Sequence, residues 1–211
     1  MIRSLPLMLL LLVAACGGGV GVPERPATQI NPDRTAEHVG AEQRALADAG
    51  ATVQRDAAGL RLTLVNGTAK SYGPDHVLVR FVRSAGAFVI YRRVSRDYLL
   101  VDDGTGAESA LAAPPVLSPE GRRFLVLVVN HVRLGSVVQI WSRARGGSFA
   151  IEFSAAPLWT GDYLYYGLRR WTEEAVIELT AERRSPTDYT FRATDFEIRL
   201  RRGNWVVDAQ R

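Results

Sequence analysis

Among its 211 residues the sequence holds one cysteine, Cys16, one lysine, Lys70, three histidines and two methionines. One thiol cannot close a disulfide within the chain, so the fold must rest on packing. The histidines, His38, His76 and His131, lie far apart and show no H-x-x-x-H or H-x-E spacing. A transition-metal site would therefore need ligands that only folding could gather, and no metal is expected. No G-x-S-x-G elbow occurs, and a serine–lysine pair would have to recruit Lys70, which lacks an S-x-x-K partner. The leading apolar run, Leu5 to Leu12, falls short of the roughly 20 residues that cross a bilayer. Nothing in the pattern asks for a cofactor.

Charge excludes a further class. The formal net charge of +4 is small for this length, and the basic residues are nearly all arginine. No dense basic run is interleaved with the aromatics of a nucleic-acid module, so no nucleic-acid partner is expected. Arginine pairs recur at strand ends: Arg92-Arg93, Arg122-Arg123, Arg169-Arg170, Arg183-Arg184 and Arg201-Arg202. Gathered on one side they would meet anionic lipid or cell-wall polymer. Scattered along edges they would discourage strand-to-strand aggregation.

What is present begins at the amino terminus. Arg3 precedes the leucine-rich run, and Val13, Ala14 and Ala15 lead into Cys16. This stretch resembles the signal peptide and lipobox of bacterial lipoproteins, with Val13 to Cys16 in the four lipobox positions. The resemblance implies cleavage after Ala15 and lipidation of Cys16. It also implies a protein of the cell envelope anchored to the membrane by its acyl chains. Two or three chains make such an anchor durable, since each buried methylene contributes about 0.8 kcal/mol. Gly17 follows the cysteine, where aspartate would imply inner-membrane retention. In a cell with two membranes the expected place is therefore the outer membrane, facing the periplasm.

Residues 1–15 thus read as leader and 16–32 as a flexible tether, rich in glycine with Pro23 and Pro26. Residues 33–211 read as one mainly-β domain. Its first element is a helix from Asp33 to Ala49, with Asn31-Pro32 as start signal, Val39 and Leu46 on the inward face, and Gly50 as stop. Short β-prone runs follow. They are Leu60–Val65, His76–Arg83, Ala87–Val94, Tyr98–Asp102, Arg123–Val129, Val137–Ser142, Phe149–Phe153, Tyr163–Leu168, Ala175–Thr180, Phe196–Arg201 and Trp205–Asp208. Asn66-Gly67 marks a hairpin turn. Arg123 to Val129 is nearly all apolar, as expected of a strand covered on both faces. Strands this numerous and evenly spaced predict an all-β fold.

A faint repeat lays the segment starting at Tyr98 over the one starting at Val138, matching Pro115 to Pro157 and Leu117 to Trp159. A period of roughly 40 residues is that of propeller blades. The run Leu117-Ser118-Pro119-Glu120-Gly121 also resembles the SPDG turn of bacterial β-propeller repeats, with Glu120 replacing aspartate. Only two copies, and a faint third from Leu60 to Val82, are traceable, whereas propellers have at least four blades. The expected architecture is an antiparallel blade-like meander, either partly propeller-like or a two-sheet sandwich, preceded by one short helix.

The clearest candidate ligand surface is aromatic: Trp159, Tyr163, Tyr165 and Trp171, with Tyr166 on the opposite face of the same strand. Exposed beside Arg169 and Arg170, these rings would suit a glycan or protein partner. Packed across strands, they would simply stabilise the sheet. Carboxylate pairs Asp102-Asp103 and Glu173-Glu174 fit turns and strand starts as well as acid–base work. The expected function is a non-enzymatic envelope module that binds a protein or cell-wall polymer. The alternatives are a periplasmic hydrolase assembled from distant residues, or an inhibitor of an envelope enzyme acting through the loop Val132 to Ser136.

Overall fold

The computed structural model describes residues 34–130, 135–155, 163–184 and 191–209. Cys16, the tether, His131 and Trp159 lie outside them. Helix α1 runs Thr35–Ala49 and is closed by the Gly50 N–H donating to the Leu46 carbonyl. Its inward face is not the expected one. His38, Ala45 and Ala49 are buried, Leu46 is half-buried, and Val39 is 47% exposed. Two small alanines let the helix backbone approach the sheet, and a polar ring replaces a large aliphatic at its start.

Fifteen strands follow among the described residues, and they form four consecutive antiparallel meanders. The first comprises β1 (Val53–Asp56), β2 (Gly59–Thr63) and β3 (Ala69–Tyr72). The second comprises β4 (His76–Val82), β5 (Ala87–Arg92), β6 (Asp97–Asp102) and β7 (Glu108–Leu111). The third comprises β8 (Pro115–Leu117), β9 (Arg123–Asn130), β10 (Gly135–Arg143) and β11 (Phe149–Ala155). The fourth comprises β12 (Tyr163–Glu173), β13 (Val176–Arg184), β14 (Phe191–Arg201) and β15 (Asn204–Ala209). One parallel bridge, Gly135 to Leu164, joins the third and fourth into an eight-stranded sheet. The protein is all-β and blade-like, with one short helix in front.

Three apolar cores stack these layers. Phe88, Ile90, Leu99 and Val101 of the second meander meet Ala45 and Ala49 of α1 and Leu60 and Leu62 of the first. Its other face sends Val89, Tyr91, Tyr98 and Leu100 against Phe124, Val126 and Phe149 of the third. The reverse of the third meander, through Leu125, Val138 and Ile140, meets Ile177, Leu179, Phe196 and Ile198 of the fourth. β5 is therefore apolar along its length because both its faces are covered. β9 divides the same way, Phe124 and Val126 to one core and Leu125 to the other.

The side-chain alternation along β4 breaks at a bulge between Leu78 and Arg80. A bulge shifts the facing of every later residue by one. Val77 and Val79 face one core, Phe81 faces the other, and Arg80 is left exposed at the step. The Leu78 N–H, turned off the ladder, donates to Glu42 Oε1 of α1 at 2.8 Å. Arg55 donates to the same carboxylate oxygen and to the His76 carbonyl, so the helix is stapled along this sheet edge.

Candidate functional site

A cleft of about 480 Å³ opens where α1, the second meander and the third meander converge. That volume lies within the roughly 300–1,000 Å³ of sites for small ligands. α1 contributes Glu37, His38 and Ala41, and β4 contributes Val79, Arg80 and Val82. Val89, Tyr98 and Phe124 form apolar wall where the core between the two meanders reaches the surface. The opposite lip is Pro114 to Leu117. Local sequence explains the opening. β8 is three residues long and begins at Pro115, which has no N–H, so it ends its sheet. The β4 bulge parts the facing edge. Val116, on the lip, is 39% exposed.

The polar groups of this cleft are few and ordered. His38 is 5% exposed and sits 4.8 Å from the Tyr91 ring and 5.6 Å from the Tyr98 ring, centroid to centroid. Its Nε2 shares a 2.8 Å hydrogen bond with the Tyr98 hydroxyl. Burial pushes the His38 imidazole below its ordinary value, opposed by Glu37 and aided by Arg34. Burial also pushes the Tyr98 phenol up to about 12. At neutral pH the pair is thus an uncharged imidazole on an intact phenol. Glu37 has a counter-ion in Arg34 at 3.6 Å. The Arg80 side chain has no ion-pair or hydrogen-bond partner among the described residues, which leaves it the uncompensated cation of the cleft.

The depressed His38 value gives a signed expectation. Between that value and the ordinary 6.5 the unfolded chain binds more protons than the native one, so stability rises with pH there. Stability is full above about 6.5 and declines as acidification proceeds to the folded value, by about 1.4 kcal/mol for each unit of depression. In denaturant titrations from pH 7.5 to 5, about three-hundredfold in proton activity, the slope should be shallower in His38→Gln than in wild type. Equal slopes would remove His38 as the source.

The other polar clusters hold the fold. Ser118, 3% exposed, accepts the Arg122 and Arg123 N–H groups at 3.1 and 3.0 Å and donates to Glu174 Oε1 at 2.6 Å. Its hydroxyl has no lone pair or proton left for chemistry. Gly121 closes this turn at φ +72°, where a Cβ would fall 2.0 Å from Ser84 Oγ. Arg123 spans Glu152 and Glu174, at 2.8 and 3.4 Å, and lies over the Trp205 ring. Burial alone would raise the Glu152 carboxyl, but the Arg123 guanidinium overrides it and holds it low. Lys70 pairs with Glu108 at 2.7 Å and donates to the Gly106 carbonyl, tying the first meander to the second. Glu108 also accepts the Tyr72 hydroxyl; burial works to raise its carboxyl, and the bonds from Lys70 and Tyr72 lower it further than that.

Of the aromatic candidates, Tyr163 and Tyr165 lie in β12, their side chains outside the described residues, as is the whole of Trp159. Trp171 is half-buried against the third core, where Tyr166 is buried outright. The loop proposed for inhibition, Val132 to Ser136, falls mainly outside the described residues. Members of four arginine pairs meet carboxylates: Arg92 meets Asp97 and Arg170 meets Glu178 across adjacent strands, Arg169 reaches Asp195 of β14, Arg201 meets Asp208 of β15, and Arg122 and Arg123 meet Glu120 and Glu152. Among the described residues no group of histidine, cysteine, aspartate and glutamate is placed to hold a metal ion, and no helix is long and apolar enough to cross a membrane. The cleft itself was missed in sequence, because it joins residues from six elements, α1, β4, β5, β6, β8 and β9. No single strand marks it, since the bulge that exposes Arg80 arises in the β4–β5 pairing. No protein-family model matches the chain, and no curated protein or solved structure does so either.

Proposed function

We propose that this protein is an envelope lipoprotein, held at a bilayer through acylated Cys16, whose β body is a binding module. The cleft between α1, β4 and β8 is its ligand site. The observation that carries the binding reading is the concentration of apolar wall around a small, preordered polar set. The groups that would serve hydrolysis support the same reading, since Ser118, Lys70 and His38 are each engaged in holding the fold. The leader, the lipobox positions Val13 to Cys16 and the glycine-rich tether support attachment to the membrane.

Two measurements test it. Mass spectrometry of the protein purified from its native envelope should find an amino terminus at Cys16 carrying acyl mass, and Cys16→Ser should release the chain to the aqueous fraction. An unmodified terminus would overturn the anchor. The neutral dye Nile red should bind the Cys16→Ser chain saturably, one per molecule, and lose that binding when Ala41→Trp fills the cleft. Binding untouched by Ala41→Trp would overturn the site.

A further inference from the structure

The chemistry of the cleft narrows its ligand, on the reading just given. We infer that it takes a single-chain anionic amphiphile, a long-chain fatty acid, with the alkyl tail along the apolar wall and the carboxylate on Arg80. Three observations carry this. Along the wall from Val79 and Val82 to Leu117 and Phe124 the hydrogen-bonding side chain is Tyr98, whose hydroxyl is already held by His38, so the wall rewards an alkyl chain and penalises a peptide or sugar whose polar groups would lose water. The polar end is cationic in sum. Glu37 is compensated by Arg34, His38 is kept neutral on Tyr98, and Arg80 is unanswered. Elsewhere in the fold, arginines beside carboxylates pair with them, so an unpaired one placed by a bulge at the rim of an apolar cleft is a ready carboxylate partner.

The position of the cleft fits the source of such a ligand. The chain enters the described fold at Arg34, and the first turn of α1 already lines the cleft. The described fold therefore begins next to the cleft mouth, shortly after the proposed tether, 16–32, in sequence. An extended segment of that length reaches at most about 60 Å, which keeps the mouth within reach of the bilayer where free fatty acids partition. Backbone pairing of a peptide along β8 is the competing use of this edge, and Pro115 disfavours it by removing a donor.

The test is calorimetric titration of the Cys16→Ser chain with dodecanoate, dodecanol and dodecylamine, each below its solubility or micellar limit. Dodecanoate should bind about tenfold tighter than dodecanol, matching one charge-assisted hydrogen-bonded pair. Arg80→Glu should abolish that preference and favour dodecylamine, while Arg61→Glu, an equal charge change outside the cleft, should leave it intact. Ala41→Trp should remove binding of all three. Equal affinity for dodecanoate and dodecanol, or an equal effect of Arg80→Glu and Arg61→Glu, would overturn the assignment. If Nile red binds and dodecanoate does not, the fatty-acid inference falls and the cleft reading stands. If neither binds, both fall.

Discussion

Asp102→Ala is expected to destabilise the protein by about 3 kcal/mol, a loss in the range for buried, charge-paired acceptors. Asp102 is fully buried at the end of β6. Its Oδ1 accepts the Gly104 and Thr105 N–H groups at 3.0 and 2.8 Å and the Thr105 hydroxyl at 2.9 Å. Its Oδ2 lies 2.6 Å from Arg143 Nε, which reaches across from the end of β10. One carboxylate thus closes a turn of the second meander and ties it to the third. Gly147 at φ +91° is part of the fit, since a Cβ there would stand 2.6 Å from Thr105 Cγ2. Asp102→Asn keeps the acceptor for the turn and loses only the charge pair. Because the Arg143 side chain is 41% exposed, water screens that pair and the expected cost is about 1 kcal/mol. Urea midpoints at equal m-value measure both. Equal losses in the two variants would mean that the turn bonds contribute nothing.

The second large effect lies one layer inward. Phe88→Ala is expected to cost about 3–5 kcal/mol, the range for deleting a buried aromatic without full collapse of the site. Phe88 is 1% exposed, stacks on Phe81 at 4.5 Å between ring centroids, and fills the core between α1 and the first two meanders. β5 cannot shift to close the hole, because Val89 and Tyr91 on its other face are packed against the third meander. Val206→Ala, at a 39% exposed position of β15, should cost well under 1 kcal/mol, as surface substitutions do. Comparable midpoints for the two variants would contradict the layered packing.

The layers were legible where a strand's pattern was complete within itself. The unbroken apolar run in β9 read correctly as a strand covered on both faces, β5 read as a strand but not as one with both faces covered, and turn residues such as Ser118 and Gly121 read correctly as turns. Short strands with little apolar content were not legible. β1, β3 and β8 went unassigned because their stability comes from neighbours, not from their own few residues. Val39 was placed inward because size stood in for position. The helix buries alanines instead, since its close approach to β4 is fixed by Glu42 bonding the freed Leu78 N–H, a contact between residues 36 apart. The cleft was illegible for the same reason: the bulge that exposes Arg80 is a property of the β4–β5 pairing, not of either strand.

The most direct measurement is a nitrogen-15 amide titration of the Cys16→Ser chain with dodecanoate. Shifts that saturate together at His38, Ala41, Val79, Arg80, Val116 and Leu117, and that vanish in Ala41→Trp, are the result this account predicts. Shifts centred instead on Tyr163, Tyr165 and Trp171, with the cleft amides unmoved, would contradict it.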